Sequence, residues 1–363
     1  MNSTCVSMEK NAIRVTKQSV RQKRPAARAA ASATESSLSP RRTRQSAKKA
    51  NTAGGHTSIS SAIHTSVASS VTTPLLNAST SSTFIRILPS ILISESAGLT
   101  KAELALLNAK QYQLRHSKTQ AWLKSSSGKE KLASAARATL VFAQEEAGTA
   151  VCISSSGLLL TCSHCVAESP EELNQPGSKC KWLLFASGQV ILAECVAWDL
   201  RRDLALLQIT AAQPEPQIAN PHALPASDNT ANASILSFPF VPVAEVPPRL
   251  RAALVCIGHP GSEDLEVAQP GVKTGYDTLH VSTGVFRGYA PNQDLHDNSE
   301  IGALKHDCWT YWGHSGAPLV EQSTGRLVGL HSSWDEKTGT RRGVPLEAIQ
   351  HFLQQHAPVL KSE

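Results

Sequence analysis

The sequence lacks long apolar runs. Its first 30 residues contain none of the length that a secretory signal peptide requires. The apolar segment 84–93 includes Arg86 and Pro89 and is shorter than the ~20 residues of a membrane-spanning helix. We therefore predict a protein that is not secreted and has no membrane span, and we expect segment 84–93 to pack on the folded domain or to bind a partner.

Aromatic and acidic residues are nearly absent from the N-terminal region. Residues 1–83 contain no Phe, Trp or Tyr, and residues 1–94 contain 13 Lys or Arg but only two acidic residues. A segment of this composition cannot bury enough apolar surface to fold alone, so we predict a disordered basic Ser/Thr/Ala-rich tail over residues 1–83. The remainder of the chain carries a net charge of −5, which does not favour polyanion binding by the folded body.

The basic residues of the tail form short clusters at 23–25, 41–44 and 48–49. Their spacing is typical of a two-part nuclear import signal, read by an import receptor, or of an arm that contacts nucleic-acid phosphates. An Arg- and Ser-rich, acid-poor N-terminus is also typical of a mitochondrial transit peptide. A solvated tail without a partner is the third alternative. The expected location is intracellular, in the nucleus or cytoplasm, with the mitochondrion as the alternative.

The eight cysteines lack the spacing of a structural zinc site. Cys162 and Cys165 form one C-x-x-C pair around His164, but no second pair follows at a matching distance. We therefore predict no metal and no cofactor.

A Gly-His-Ser-Gly-Ala-Pro turn at residues 313–318 has the form of a nucleophile turn. Gly313 and Gly316 allow the backbone to fold sharply around Ser315. A serine hydroxyl needs an imidazole to accept its proton and a carboxylate to fix the imidazole tautomer. His164 at the end of one predicted buried strand and Asp203 at the start of another supply these groups.

These motifs together resemble the trypsin-like serine peptidase domain over residues 137–355. Segments 148–154 and 157–161 resemble the strand pair before the catalytic histidine, segment 185–199 resembles the hairpin before the aspartate, and segment 343–349 resembles the entry to the closing helix. Within this family the sequence most resembles the intracellular HtrA-type branch, and we expect no PDZ domain. The resemblance implies an all-β fold, a double β-barrel with a C-terminal helix.

The resemblance also implies the roles of the site residues. Ser315 would be the nucleophile, His164 the general base and then acid, and Asp203 the group that orients His164. The Gly313 and Ser315 amides would form the oxyanion hole. The predicted function is an intracellular serine endopeptidase acting on protein or peptide substrates. The alternative is a weak or inactive peptidase-fold protein that binds peptides and is tethered by its tail to nucleic acid or chromatin.

The sequence departs from the family pattern at several positions. His314 replaces the usual Asp or Asn before the nucleophile, and Ala317 replaces a glycine. An imidazole at position 314 could tune the loop with pH or mark a lineage that has lost activity. Ala147 stands where secreted relatives have the cysteine that would pair with Cys165, which favours a reducing compartment.

The substrate pocket is assigned to Trp309 and Ser332. Trp309 lies six residues before the nucleophile, at the base of the family's primary pocket, where no acid would select Lys or Arg. An indole there would favour small or apolar side chains, or it could belong to the core instead.

Together with the tail over residues 1–83, the resemblance divides the chain into three predicted parts. An apolar segment and a helix occupy 84–135, with the helix over 99–123, Thr100 as its cap and Glu103 completing a capping box. The peptidase domain covers 136–363, with a first barrel over 136–210, a Pro- and Ala-rich connection over 211–250, and a second barrel and closing helix over 251–363. HtrA-like relatives often assemble through N-terminal segments, so residues 84–123 are a candidate contact in a homo-oligomer.

Overall fold

The computed structural model of the chain describes residues 85–117, 130–144, 148–215, 236–264, 269 and 271–361. The predicted basic tail over 1–83 lies outside these residues, as do Ala147 and positions 216–235 of the predicted connection. Among the helices that the structure describes, none has both the length and the apolar character needed to cross a membrane.

Short elements precede the barrels. Residues 88 and 92 of the apolar segment 84–93 are buried leucines of the core, so this segment packs on the domain as expected. The elements are β1 (Arg86–Ile87), α1 (Ser94–Ala97), α2 (Lys101–His116) and α3 (Glu130–Arg137).

Helix α2 begins at the predicted capping box. The Thr100 hydroxyl accepts the Glu103 N–H at 3.2 Å, and the Glu103 carboxylate accepts the Thr100 N–H at 2.8 Å. The helix ends at residue 116, before the predicted limit of 123, and residues 118–129 lie outside the described part of the chain. Lys110 attaches the buried face of α2 to the first barrel, because its ammonium donates to the Phe142 carbonyl at 2.9 Å.

The first barrel is built from hairpins whose apolar residues are almost all buried. Its strands are β2 (Thr139–Phe142), β3 (Thr149–Cys152), β4 (Leu158–Thr161), β5 (Cys180–Phe185), β6 (Val190–Asp199) and β7 (Leu204–Ala212). They pair in the order β7-β4-β3-β2-β5-β6, and pairing of β6 with β7 closes the barrel. Strand β1 adds to β7 in parallel, and a short helix α4 (Pro170–Leu173) lies between β4 and β5.

The second barrel is also closed and antiparallel. Its strands are β8 (Ala253–Gly258), β9 (His280–Tyr289), β10 (Leu304–His306), β11 (Pro318–Glu321), β12 (Leu327–Trp334) and β13 (Arg341–Pro345). They pair in the order β10-β13-β12-β11-β8-β9, with β9 returning to β10. Helix α5 (Leu346–Lys361) follows β13 directly.

The predicted fold class is confirmed by this arrangement of two six-stranded barrels followed by a helix. One apolar cluster contains residues of both barrels, including Leu160 from the first and Leu330 from the second. The barrels therefore share a core, and the loops at their junction are held in fixed positions relative to one another.

Candidate active site

His164 lies in a single 3₁₀ turn, Ser163–Cys165, directly after strand β4. The Trp198 indole donates a hydrogen bond to the Ser163 carbonyl at 3.0 Å and so fixes the turn. The His164 side chain is 22% exposed, so the imidazole is accessible at the junction of the barrels.

Asp203 lies in the tight connection between β6 and β7 and has a left-handed backbone, with φ of 54°. Asp tolerates this conformation better than most residues. Its Oδ1 accepts from His164 Nδ1 at 2.7 Å and from the Ser163 hydroxyl at 3.0 Å. Burial alone would raise the pKa of Asp203. The charge and hydrogen bond of His164 and the hydroxyl of Ser332 outweigh that effect and hold the pKa below its usual value.

Ser315 lies in the turn that precedes strand β11. Gly313 and Gly316 adopt φ of 93° and 80°, a region that favours glycine, so the two glycines permit the sharp turn that the sequence predicts. The Ser315 hydroxyl donates to the Ser332 carbonyl at 3.2 Å. Ser332 therefore contacts the predicted nucleophile through its carbonyl, and its hydroxyl helps to lower the pKa of the predicted carboxylate Asp203.

Strand β3 of the first barrel holds the Ser315 turn in place. The Thr149 N–H donates to the Ser315 carbonyl at 2.8 Å, and the Thr149 hydroxyl donates to the Gly313 carbonyl at 3.1 Å. The Cys165 thiol, next to His164, also donates to the Ser315 carbonyl, at 3.4 Å. These contacts join strand β3 and the turn that carries His164 to the loop that carries Ser315.

The Ser315 amide, one of the two predicted oxyanion-hole donors, is oriented by the turn itself. The His314 carbonyl accepts the Ala317 N–H at 2.8 Å inside the turn, which directs the Ser315 N–H out of it.

His314 is fully buried beneath the turn and does not tune it near neutral pH. Burial, followed by the neighbouring His280 and His259, lowers the pKa of His314 to about 3. The imidazole is held at the Tyr311 backbone, with Nδ1 at 3.1 Å from the carbonyl oxygen. The suggested pH tuning by His314 is therefore wrong, because a buried imidazole without a carboxylate partner stays neutral across the physiological range.

The structure separates the two predicted pocket residues. The Trp309 ring belongs to an aromatic cluster, with its centroid 4.7 Å from His280 and 5.5 Å from His314. Ser332, by contrast, lies against Ser315 and Asp203. The sequence analysis missed this role for Ser332, and its position two residues before the end of an apolar strand gave no signal for it.

The seven cysteines among the described residues are free. The Cys162 thiol lies with the ligand atoms of His164 and Asp203 in a group whose members are within 4.8 Å of one another, a grouping that could hold a metal ion. Burial and the nearby Asp203 charge raise the pKa of Cys162 well above its usual value, which opposes the thiolate form that metals bind. The expectation of no metal stays a prediction.

A family model described as a trypsin-like peptidase domain matches residues 148–330, half of the chain, and spans His164, Asp203 and Ser315. The chain belongs to the trypsin-like peptidase family. The predicted resemblance is thereby confirmed. The family consists of serine endopeptidases, a class of hydrolases, and the chain is classified with them.

Several solved protease structures are similar to this chain. A serine endoprotease from Yersinia pestis is 18% identical with a TM-score of 0.41, over 64% of this chain and 66% of its own. An inactive mutant form of Rv3671c from M. tuberculosis H37Rv is 17% identical with a TM-score of 0.41, over 63% of this chain and 90% of its own. The HtrA-type protease AlgW, solved with a decapeptide, is 22% identical with a TM-score of 0.36, over 57% of this chain and 51% of its own. No curated protein matches the sequence.

Proposed function

We propose that this protein hydrolyses peptide bonds through an acyl-enzyme on Ser315, with His164 and Asp203 as the other members of a catalytic triad. The observation that carries the proposal is the 2.7 Å contact between His164 Nδ1 and the buried Asp203 carboxylate. This contact presents the other ring nitrogen, Nε2, as the proton acceptor that a serine nucleophile needs.

Each step uses a group of this chain. His164 Nε2 accepts the Ser315 proton as Oγ bonds to the substrate carbonyl carbon, and Asp203 stabilises the imidazolium that forms. The negative oxygen of the intermediate would accept hydrogen bonds from the Gly313 and Ser315 amides. When the carbon–nitrogen bond breaks, His164 returns the proton to the leaving amine. Water then attacks the ester with His164 again as base, releasing the acid and restoring Ser315.

Labelling with a fluorophosphonate probe tests the proposal, because the probe reacts with an activated serine whatever the substrate. We expect the wild-type protein to be labelled and Ser315→Ala to be unlabelled. Ser323→Ala, in the exposed turn between β11 and β12, is the matched control and should label like the wild type. Equal labelling of Ser315→Ala and the wild type, or no labelling of a folded wild-type protein, would contradict a working triad.

The proposed setting is intracellular, in the nucleus or cytoplasm, with a protein or peptide as substrate. The free cysteines of the described residues support a reducing compartment. The import receptor, the nucleic acid and the homo-oligomer remain predictions from the sequence. Deleting residues 1–80 should change the distribution of the protein in the cell, and an unchanged distribution would favour a solvated tail without a partner.

A further inference from the structure

A cavity of about 540 Å³ lies where strands β10 and β13 meet. Its walls come from the end of β9, the segment that follows β10, and the loop before β13. The side chains that matter for its chemistry are Arg287, Lys305, His306, Asp307, Trp309 and Arg341.

The ionised groups in this wall carry an excess of positive charge. The Arg287 guanidinium donates to the Asp307 carboxylate at 2.8 Å, so this pair is internally neutralised. The Lys305 ammonium has no hydrogen-bond or ion-pair partner among the described residues. Arg341 donates to the Thr310 carbonyl at 3.2 Å but faces no carboxylate there. Two cations thus remain without an anion.

A buried imidazole nitrogen without a hydrogen-bond partner belongs to a residue of the same wall. His306 is 1% exposed, and its Nδ1 has no hydrogen-bond partner in the part of the chain that the structure describes. Its Nε2 lies 3.1 Å from His331 Nδ1. Burial, followed by the Arg341 charge, lowers the pKa of His306 to about 3, so the ring is neutral and carries one proton. When His331 Nδ1 donates the shared hydrogen bond to His306 Nε2, the single proton of His306 is on Nδ1. From there it can be donated to an acceptor in the cavity.

The cavity lies beside the Ser315 loop. Trp309 lies six residues before Ser315, and Arg341 holds the carbonyl of the next residue, Thr310. Trp334 lies opposite Arg341 in the β12–β13 ladder, and its ring packs 4.8 Å from Trp312. Trp309, which lines the cavity, packs its ring 5.5 Å from the ring of His314, the residue directly before Ser315.

We propose that this cavity receives an acidic side chain of the peptide substrate, at the residue whose carbonyl Ser315 attacks. A carboxylate there would lie between Lys305 and Arg341 and accept from His306 Nδ1. The proposal rests on the proposed peptidase function and defines its substrate class. It replaces the preference for small or apolar side chains inferred from Trp309, because the cations of the wall, rather than the indole, supply the discriminating interaction.

The kinetic test compares two acetylated, amidated hexapeptides, Ala-Ala-Ala-Glu-Ala-Ala and the same peptide with Gln in place of Glu. The pair differs in charge and hardly in shape. We expect kcat/KM for the Glu peptide to exceed that for the Gln peptide by at least about tenfold, the value of a buried charge-assisted hydrogen bond. Lys305→Gln and Arg341→Gln should each reduce this ratio by about fivefold or more. Arg326→Gln, at the start of β12 and outside the cavity wall, is the matched control and should preserve it.

A binding measurement separates this proposal from the catalytic one. Ser315→Ala cannot form an acyl-enzyme but retains the cavity, so titration with the same two peptides reports recognition alone. We expect tighter binding of the Glu peptide, with the difference lost in the double variant Ser315→Ala/Lys305→Gln. Equal affinity for both peptides would overturn the cavity proposal even when the fluorophosphonate probe labels Ser315. A Glu preference in a protein that is not labelled would overturn the peptidase function and keep the cavity as an acidic-peptide site.

Discussion

Replacing Asp203 with Asn should abolish turnover without unfolding the protein. The carboxylate accepts from His164 Nδ1 at 2.7 Å, and an amide of the same shape can offer its NH₂ group to that nitrogen instead. His164 would then carry its proton on Nε2, the nitrogen that must accept the Ser315 proton. Loss of the correct tautomer in such a triad lowers kcat by about 10⁴-fold, or ~5.5 kcal/mol at ~1.4 kcal/mol per tenfold.

The assay is steady-state hydrolysis of a cleavable peptide, together with the rate of fluorophosphonate labelling, for wild type and Asp203→Asn. Asp199→Asn is the matched control, because Asp199 is an acid four residues earlier whose partner is Arg202 rather than His164. We expect the control to stay within about threefold of the wild type. A kcat for Asp203→Asn within about tenfold of the wild type would refute the role assigned to Asp203.

The same substitution has a pH-dependent effect on stability. The pKa of Asp203 is lowered in the folded protein, so its ionised form stabilises the fold at pH values above the unfolded value of about 3.9. That contribution is lost as the pH falls through the lower folded pKa. The difference in unfolding free energy between wild type and Asp203→Asn should therefore be constant near neutral pH and shrink below about pH 4, which denaturant titration at several pH values measures.

Three further changes test other parts of the site. Ser332→Ala removes the hydroxyl that favours the ionised form of Asp203 and keeps the carbonyl that accepts from Ser315, so kcat should fall by about tenfold with a small decrease in the melting temperature. His314→Gln should leave the shape of the pH–rate profile unchanged between pH 5 and 8, since a pKa of about 3 lies below that range, and a lost ionisation would contradict this. Gly316→Ala should lower the free energy of unfolding by about 2 kcal/mol or more, measured by denaturant titration, because its Cβ would overlap the Thr149 carbonyl.

The sequence contains enough local information to place two of the candidate site residues side by side. Apolar runs bounded by turn residues mark strands β4 and β7. His164 follows the end of β4 and Asp203 precedes the start of β7, and these two strand ends lie on the same side of the barrel. Because Thr161 pairs with Ala205 in the ladder between these strands, the two side chains must meet. Their contact follows from strand register, which the hydrophobic pattern largely determines.

The surroundings of the other candidate site residues depend on pairing between distant strands, which a local sequence pattern does not predict. His314 is neutral because segments from β8 and β9 bury it, and its own neighbours in the sequence do not indicate this. The cationic cavity forms because His306 lies opposite Arg341 in the β10–β13 ladder, 35 residues along the chain. Trp309 alone indicated an apolar pocket, since the cations around it come from other strands.

The position of the Ser315 loop on the first barrel depends on a residue outside the candidate triad. Thr149 donates its N–H to the Ser315 carbonyl and its hydroxyl to the Gly313 carbonyl, while the same hydroxyl accepts the His259 N–H at 2.9 Å. One residue in the first barrel thus joins two loops of the second, and it contacts both residues whose amides are assigned to the oxyanion hole. Loss of the Thr149 contacts would therefore displace Gly313 and Ser315 together. Because the proposed triad chemistry tolerates only small displacements, we expect the packing of Thr149 between the barrels to contribute to turnover.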